Sequence, residues 1–75
     1  MRVKRIIMEN LPNSQHRVDI DVLVNDVFLD MQHIDKRIEL HDIFKAVKQL
    51  HENQDLFIFR NGAVAATKKG LMSYD

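Results

Sequence analysis

Leu40-His41-Asp42-Ile43-Phe44-Lys45-Ala46-Val47-Lys48-Gln49-Leu50, a polar break at Asn53-Gln54-Asp55, and Leu56-Phe57-Ile58-Phe59-Arg60-Asn61-Gly62-Ala63-Val64-Ala65-Ala66-Thr67 decide the fold. Within the first part Leu40, Ile43, Phe44, Val47 and Leu50 recur at i, i+3, i+4, i+7 and i+10, with Ala46 at the margin of the stripe. That spacing predicts an amphipathic helix, with His41, Asp42, Lys45, Lys48, Gln49 and Glu52 on its solvated side. In the second part Asn61-Gly62 lies between two apolar runs. Both central residues of a type I′ turn need positive φ, which Asn and Gly tolerate best, so a tight hairpin is expected. A two-residue loop sets Arg60 opposite Ala63, Phe59 opposite Val64, Ile58 opposite Ala65 and Phe57 opposite Ala66. One face then carries Phe57, Phe59, Val64 and Ala66, the other Leu56, Ile58, Ala63 and Ala65. Both are apolar, so a second element or a partner has to cover whichever face the core does not.

Upstream lies a longer apolar pattern. Ile20, Leu23, Val24, Val27, Phe28, Met31 and Ile34 follow helical spacing, predicting a helix from about Gln15 to Ile34 capped by Asn13 or Ser14. Asp19 and Asp21 stand near its positive end. The β-branched residues Val18, Ile20, Val22, Val24 and Val27 lower its intrinsic propensity, and a start one turn later with 17–21 extended is the alternative. Residues 1–11 place Val3, Ile6, Ile7 and Leu11 at helical spacing, although a short strand beside the hairpin fits too; helix is preferred, ending at Leu11-Pro12.

Seventy-five residues make one domain, residues 1–75. A chain this short buries only about 60% of its unfolded surface, which makes a homodimer a natural way to enlarge the core. The chain has no cysteine, so neither a disulfide framework nor a thiolate metal site is available. No apolar run approaches the roughly 20 residues that span a bilayer. The first apolar segment is too short for a signal peptide, and the cytoplasm is the expected compartment. Net charge is zero, but its distribution is uneven: residues 18–34 hold four acidic side chains and no basic one, whereas both ends are basic. A dipolar surface follows.

Catalysis is not expected. Ser14 and Ser73 sit near breaks or the end, outside any nucleophile elbow, and Gly62 and Gly70 make no phosphate loop. His16 and Asp19 have metal-ligand spacing on a helix, but no further ligand joins them, and His33, His41 and His51 add none at a recognised spacing. Neither a metal nor a cofactor is expected. Two surfaces remain. Lys45, Lys48, Arg60, Lys68 and Lys69 are candidate nucleic-acid contacts, against the plain alternative of ordinary surface charge. Asp19, Asp26, Asp30 and His33 run along one line of the long helix, as a solvated face or as a docking face for a basic protein partner.

Asp42 to Leu50, the break, Leu56 to Arg60, Asn61-Gly62, and Ala65-Ala66-Thr67-Lys68-Lys69-Gly70-Leu71 together resemble the second half of winged-helix domains. There the last helix is followed by a hairpin wing, whose second strand ends in a Thr-x-x-Gly-like turn into a further helix. The resemblance covers under half of the chain. It implies an α+β fold of two or three helices followed by a C-terminal two-stranded β-hairpin, with DNA bound through helix 41–52 and hairpin 56–67 in transcription regulation. The departure is in front, where the preceding helix reads long and the connection after it short. The second expectation is a protein-interaction adaptor or inhibitor acting through the acidic helix 18–34 or an apolar hairpin face.

Overall fold

Asn61-Gly62 turns the chain, but over three residues rather than two. In the computed structural model, which describes residues 2–74, the pairs are Leu56 with Ala66, Phe57 with Ala65 and Ile58 with Val64. The Phe59 N–H donates to the Ala63 carbonyl at 2.7 Å and the Gly62 N–H to the Phe59 carbonyl at 3.0 Å. Arg60-Asn61-Gly62 is therefore the loop, with only Gly62 in the left-handed region at φ +89°. Asn61 contributes its side chain, whose Oδ1 accepts the Ala63 N–H at 3.1 Å. The expected register is thus off by one residue, and a one-residue slip re-sorts which residues share a face.

The chain runs α1 (Arg2–Glu9), β1 (Val18–Asp19), α2 (Ile20–Gln32), α3 (Leu40–Glu52), β2 (Leu56–Ile58), β3 (Ala63–Ala66) and α4 (Lys68–Ser73). The class is α+β as expected, but with four helices among the described residues and a three-stranded antiparallel sheet in the order β1-β3-β2. Strand β1 is the addition. Val18 pairs with Val64 and Asp19 with Ala63, and the Ile20 N–H donates to the Gly62 carbonyl at 2.8 Å. Extended β-branched backbone here satisfies the open edge of β3, which helix would leave unpaired.

Helix α2 accordingly starts at Ile20, not near Gln15; of the stretch 17–21 given as extended in the alternative, Val18 and Asp19 are strand and Ile20 and Asp21 are helix. Asp19 is its N-cap, with Oδ1 accepting the Asp21 N–H at 2.9 Å. Asn13 caps no helix; its Oδ1 accepts the Gln15 N–H at 2.9 Å and closes a local turn. Shortened at both ends, α2 has 13 residues, as does α3, and the connection at 33–39 is longer than expected. Residues 2–9 are helix, the preferred of the two readings.

Helices α1, α2 and α3 and the inner face of the sheet enclose the core. Ile7, Leu11, Leu23, Val27, Ile43, Val47, Leu50, Leu56 and Val64 are its largest fully buried side chains. On α3 the buried stripe is Ile43, Ala46, Val47 and Leu50; Leu40 and Phe44, expected in it, are 49% and 39% exposed. At about 100° per residue Ile43, Ala46, Val47 and Leu50 share an arc of about 100°, and Leu40 and Phe44 fall beyond its Val47 side.

The end of α3 is tied to the start of α4. Asn53 closes α3 and Gln54 takes the left-handed position beyond it at φ +64°, with the Asp55 N–H reaching back to the Leu50 carbonyl at 2.9 Å. From Asp55 the bonds cross to the far strand: the Thr67 N–H donates to the Asp55 carbonyl at 3.1 Å and Thr67 Oγ1 to the Gln54 carbonyl at 2.6 Å. Thr67 Oγ1 in turn accepts the Gly70 N–H at 3.0 Å as the N-cap of α4. Gly70 lies against this backbone so closely that a Cβ would stand 1.9 Å from the Asp55 carbonyl oxygen.

Candidate nucleic-acid interface

Helix α3 turns a mixed stripe away from the core. His41, Phe44, Lys45 and Lys48 line one shallow depression on it, and all four are exposed. Their spacing of three, four and seven places them on one side of the helix, and His51 continues the line by one more step. There α3 meets the sheet, for the Ile58 N–H donates to His51 Nδ1 at 3.2 Å. The His51 ring packs edge-on against Phe57 at 5.3 Å between centroids.

From Phe57 the surface continues across the sheet. With the observed register its inner face is Leu56, Ile58, Val64 and Ala66, and its outer face Phe57, Phe59, Ala63 and Ala65. Phe57 and Phe59 pack edge to face at 4.9 Å, and the Arg17 guanidinium lies over the Phe59 ring at 4.0 Å. Arg17 precedes β1 and emerges on the outer face by strand alternation. Phe57 stays 50% exposed, so within the described residues the outer face is covered only in part. Such a ladder, with a cation on one ring and edges on the others, is stabilised by quadrupole geometry at about 0.5–1.5 kcal/mol per contact.

The expected basic contacts divide. Lys45 and Lys48 lie on the α3 stripe and Arg60 in the hairpin loop, all exposed and, among the described residues, in no ion pair. Lys68 is exposed at the start of α4, at the opposite end of β3 from Arg60. Lys69 is engaged in the fold, paired with Asp55 Oδ1 at 3.4 Å and donating to the Asn53 carbonyl. Arg17, Phe44, His51, Phe57 and Phe59 were not among the expected contacts. For Phe44 the apolar stripe itself misled; for the others the signal was the register and the hidden third strand.

On α2 the acidic line divides as well. Asp19 is used as the cap, Asp30 Oδ2 accepts a long bond of 3.4 Å from Asn10 Nδ2, and Asp26 and His33 are exposed. Val22 and Leu29, one heptad apart, are 51% and 56% exposed beside them. Among the described residues no three His, Asp or Glu side chains are grouped to hold a metal ion, and no helix is long and apolar enough to cross a membrane. Comparison with protein-family models, with curated proteins and with solved structures finds no match to this chain.

Proposed function

We propose that the chain is a small non-catalytic regulatory module of the winged-helix kind that binds duplex DNA, with α3 as the helix that meets the groove and the β2–β3 hairpin as the wing. One observation carries this reading. The outward stripe of α3 and the outer sheet face are joined through His51 and Phe57, giving a strip of cations and rings from His41 to Arg60. Cations on such a strip neutralise phosphates, and the Phe44 ring in the same depression as Lys45 and Lys48 offers an apolar contact to a base edge. The order of α3, hairpin and a Thr67-capped α4 supports the reading, as does an α2 of 13 residues, shorter than the sequence suggested. Zero net charge is compatible, because affinity follows the local field of the strip.

Fluorescence anisotropy of labelled random duplex, titrated with the protein at two salt concentrations, tests the reading. Three phosphate contacts from Lys45, Lys48 and Arg60 give a slope of log affinity against log salt of about −2.7. No binding at low salt would sink it.

Val22 and Leu29 beside Asp26 and Asp30 favour a second reading, a protein-interaction adaptor or homodimer that buries this face of α2. Sedimentation would then show self-association that Leu29→Lys removes.

A further inference from the structure

Beside the cation–aromatic strip a cleft of about 660 Å3 opens between α1, the α2–α3 connection and α3. Its floor is core material seen from outside: Val3, Met31 and Ala46 are each more than nine-tenths buried, and Ile34 and Ile38 form apolar walls. The volume lies within the roughly 300–1,000 Å3 of small-molecule sites, which pair an apolar lining with a few polar groups at the mouth.

The charges at the mouth are not equivalent. Asp35 and Asp42 line it, but each is already drawn to backbone: Asp35 Oδ1 accepts the Arg37 N–H at 3.0 Å, and Asp42 Oδ2 accepts the Glu39 N–H at 3.0 Å at the start of α3. Arg37 and Lys45 also line it, and neither forms an ion pair among the described residues. The carboxylates stabilise the connection and the cations are left for a ligand. We propose that this cleft binds a small amphipathic anion, an apolar chain or ring bearing one carboxylate, with the body on Met31, Ile34, Ile38 and Ala46 and the carboxylate between Arg37 and Lys45. A charged acceptor is favoured there because the bond is charge-assisted on both sides and forks to guanidinium geometry. Lys45 belongs to the rim of this cleft and to the outer stripe of α3, so an anion held here draws on a cation that DNA contact also uses.

The test uses octanoate, octanol and octylammonium as probes, followed by the amide resonances of isotopically labelled full-length protein in the absence of DNA. Octanoate is expected to shift residues 34–38 and 45–49 saturably, with octanol binding more than about tenfold more weakly, as the loss of the charge-assisted contacts to Arg37 and Lys45 requires, and octylammonium more weakly still. The double variant Arg37→Gln, Lys45→Gln should bring octanoate down to the level of octanol. Ala46→Leu, which fills the floor, should abolish binding of all three, while unchanged hairpin resonances report an intact fold. Equal binding of octanoate and octanol, a preference for octylammonium, shifts elsewhere, or no saturable shift at millimolar octanoate would each overturn the proposal. Because no DNA is present, the outcome is independent of the DNA-binding reading.

Discussion

Gly70→Ala is the perturbation whose effect can be followed through the structure in most detail. A Cβ at this position would stand 1.9 Å from the Asp55 carbonyl oxygen, 2.6 Å from its carbon and 2.8 Å from the Asp55 Cα. All three are backbone atoms, so no side chain can swing aside. Residue 70 would have to retreat by more than an ångström, taking the first turn of α4 with it. Three hydrogen bonds depend on that position: Gly70 N–H to Thr67 Oγ1, Thr67 Oγ1 to the Gln54 carbonyl, and Thr67 N–H to the Asp55 carbonyl. At about 1 kcal/mol each their weakening costs about 3 kcal/mol, offset by about 1 kcal/mol that alanine gains over glycine inside a helix. A net loss of about 2 kcal/mol is large for a chain whose whole stability is about 4–11 kcal/mol at typical values per residue. Urea unfolding followed by circular dichroism should show a midpoint lower by about 2 M if the slope is near 1 kcal/mol/M, with the slope unchanged. Lys68→Ala, two residues earlier and exposed, is the control and should stay within about 0.5 kcal/mol. A Gly70→Ala protein as stable as the control would refute the reasoning, because α4 would then not be held against the end of α3.

Gln54→Gly should stabilise the chain by about 0.5–1 kcal/mol in the same assay, since Gln54 holds φ +64° and only its backbone makes the observed bonds. Asp19→Ala should cost about 1 kcal/mol through loss of the α2 cap, and Asp19→Asn most of that less, which a thermal melt of both variants would check. In DNA titrations Lys45→Ala and Lys48→Ala should each reduce the steepness of the salt dependence by about 0.9, whereas Lys69→Ala should leave it unchanged because that ammonium is committed to Asp55 and Asn53. Equal effects of all three lysines would mean that contact is diffuse rather than centred on α3.

How much could be read in advance depended on whether a segment was decided locally. Helix α3 and a reversal at Asn61-Gly62, though not its loop length, follow from spacing and turn chemistry within a dozen residues, and helix at 2–9 was the preferred of two readings. The two-residue strand β1 was not legible, since Val18-Asp19 has no length from which a period could be taken, and its partners, Val64 and Ala63, lie in the distant strand β3. The register error is a separate matter. Arg60-Asn61-Gly62-Ala63 closes a hairpin over two residues or three with similar local chemistry; a type I′ turn needs positive φ at both Asn61 and Gly62, and only Gly62 has it. Val18 sits opposite Val64, and the Ile20 N–H takes the Gly62 carbonyl, so Val64 has to turn inward beside Val18. Only the three-residue loop sets Ile58, rather than Phe59, on the same side. The consequence falls on the candidate site, because Phe57 and Phe59 then stand outward together, Arg17 reaches the Phe59 ring, and His51 meets Phe57 from α3. Had the loop been one residue shorter, the aromatic side of β2 would have shared a face with Val64 and Ala66 toward the helices. The strip from His41 to Arg60 depends on the parity of the hairpin, which one extra loop residue reverses.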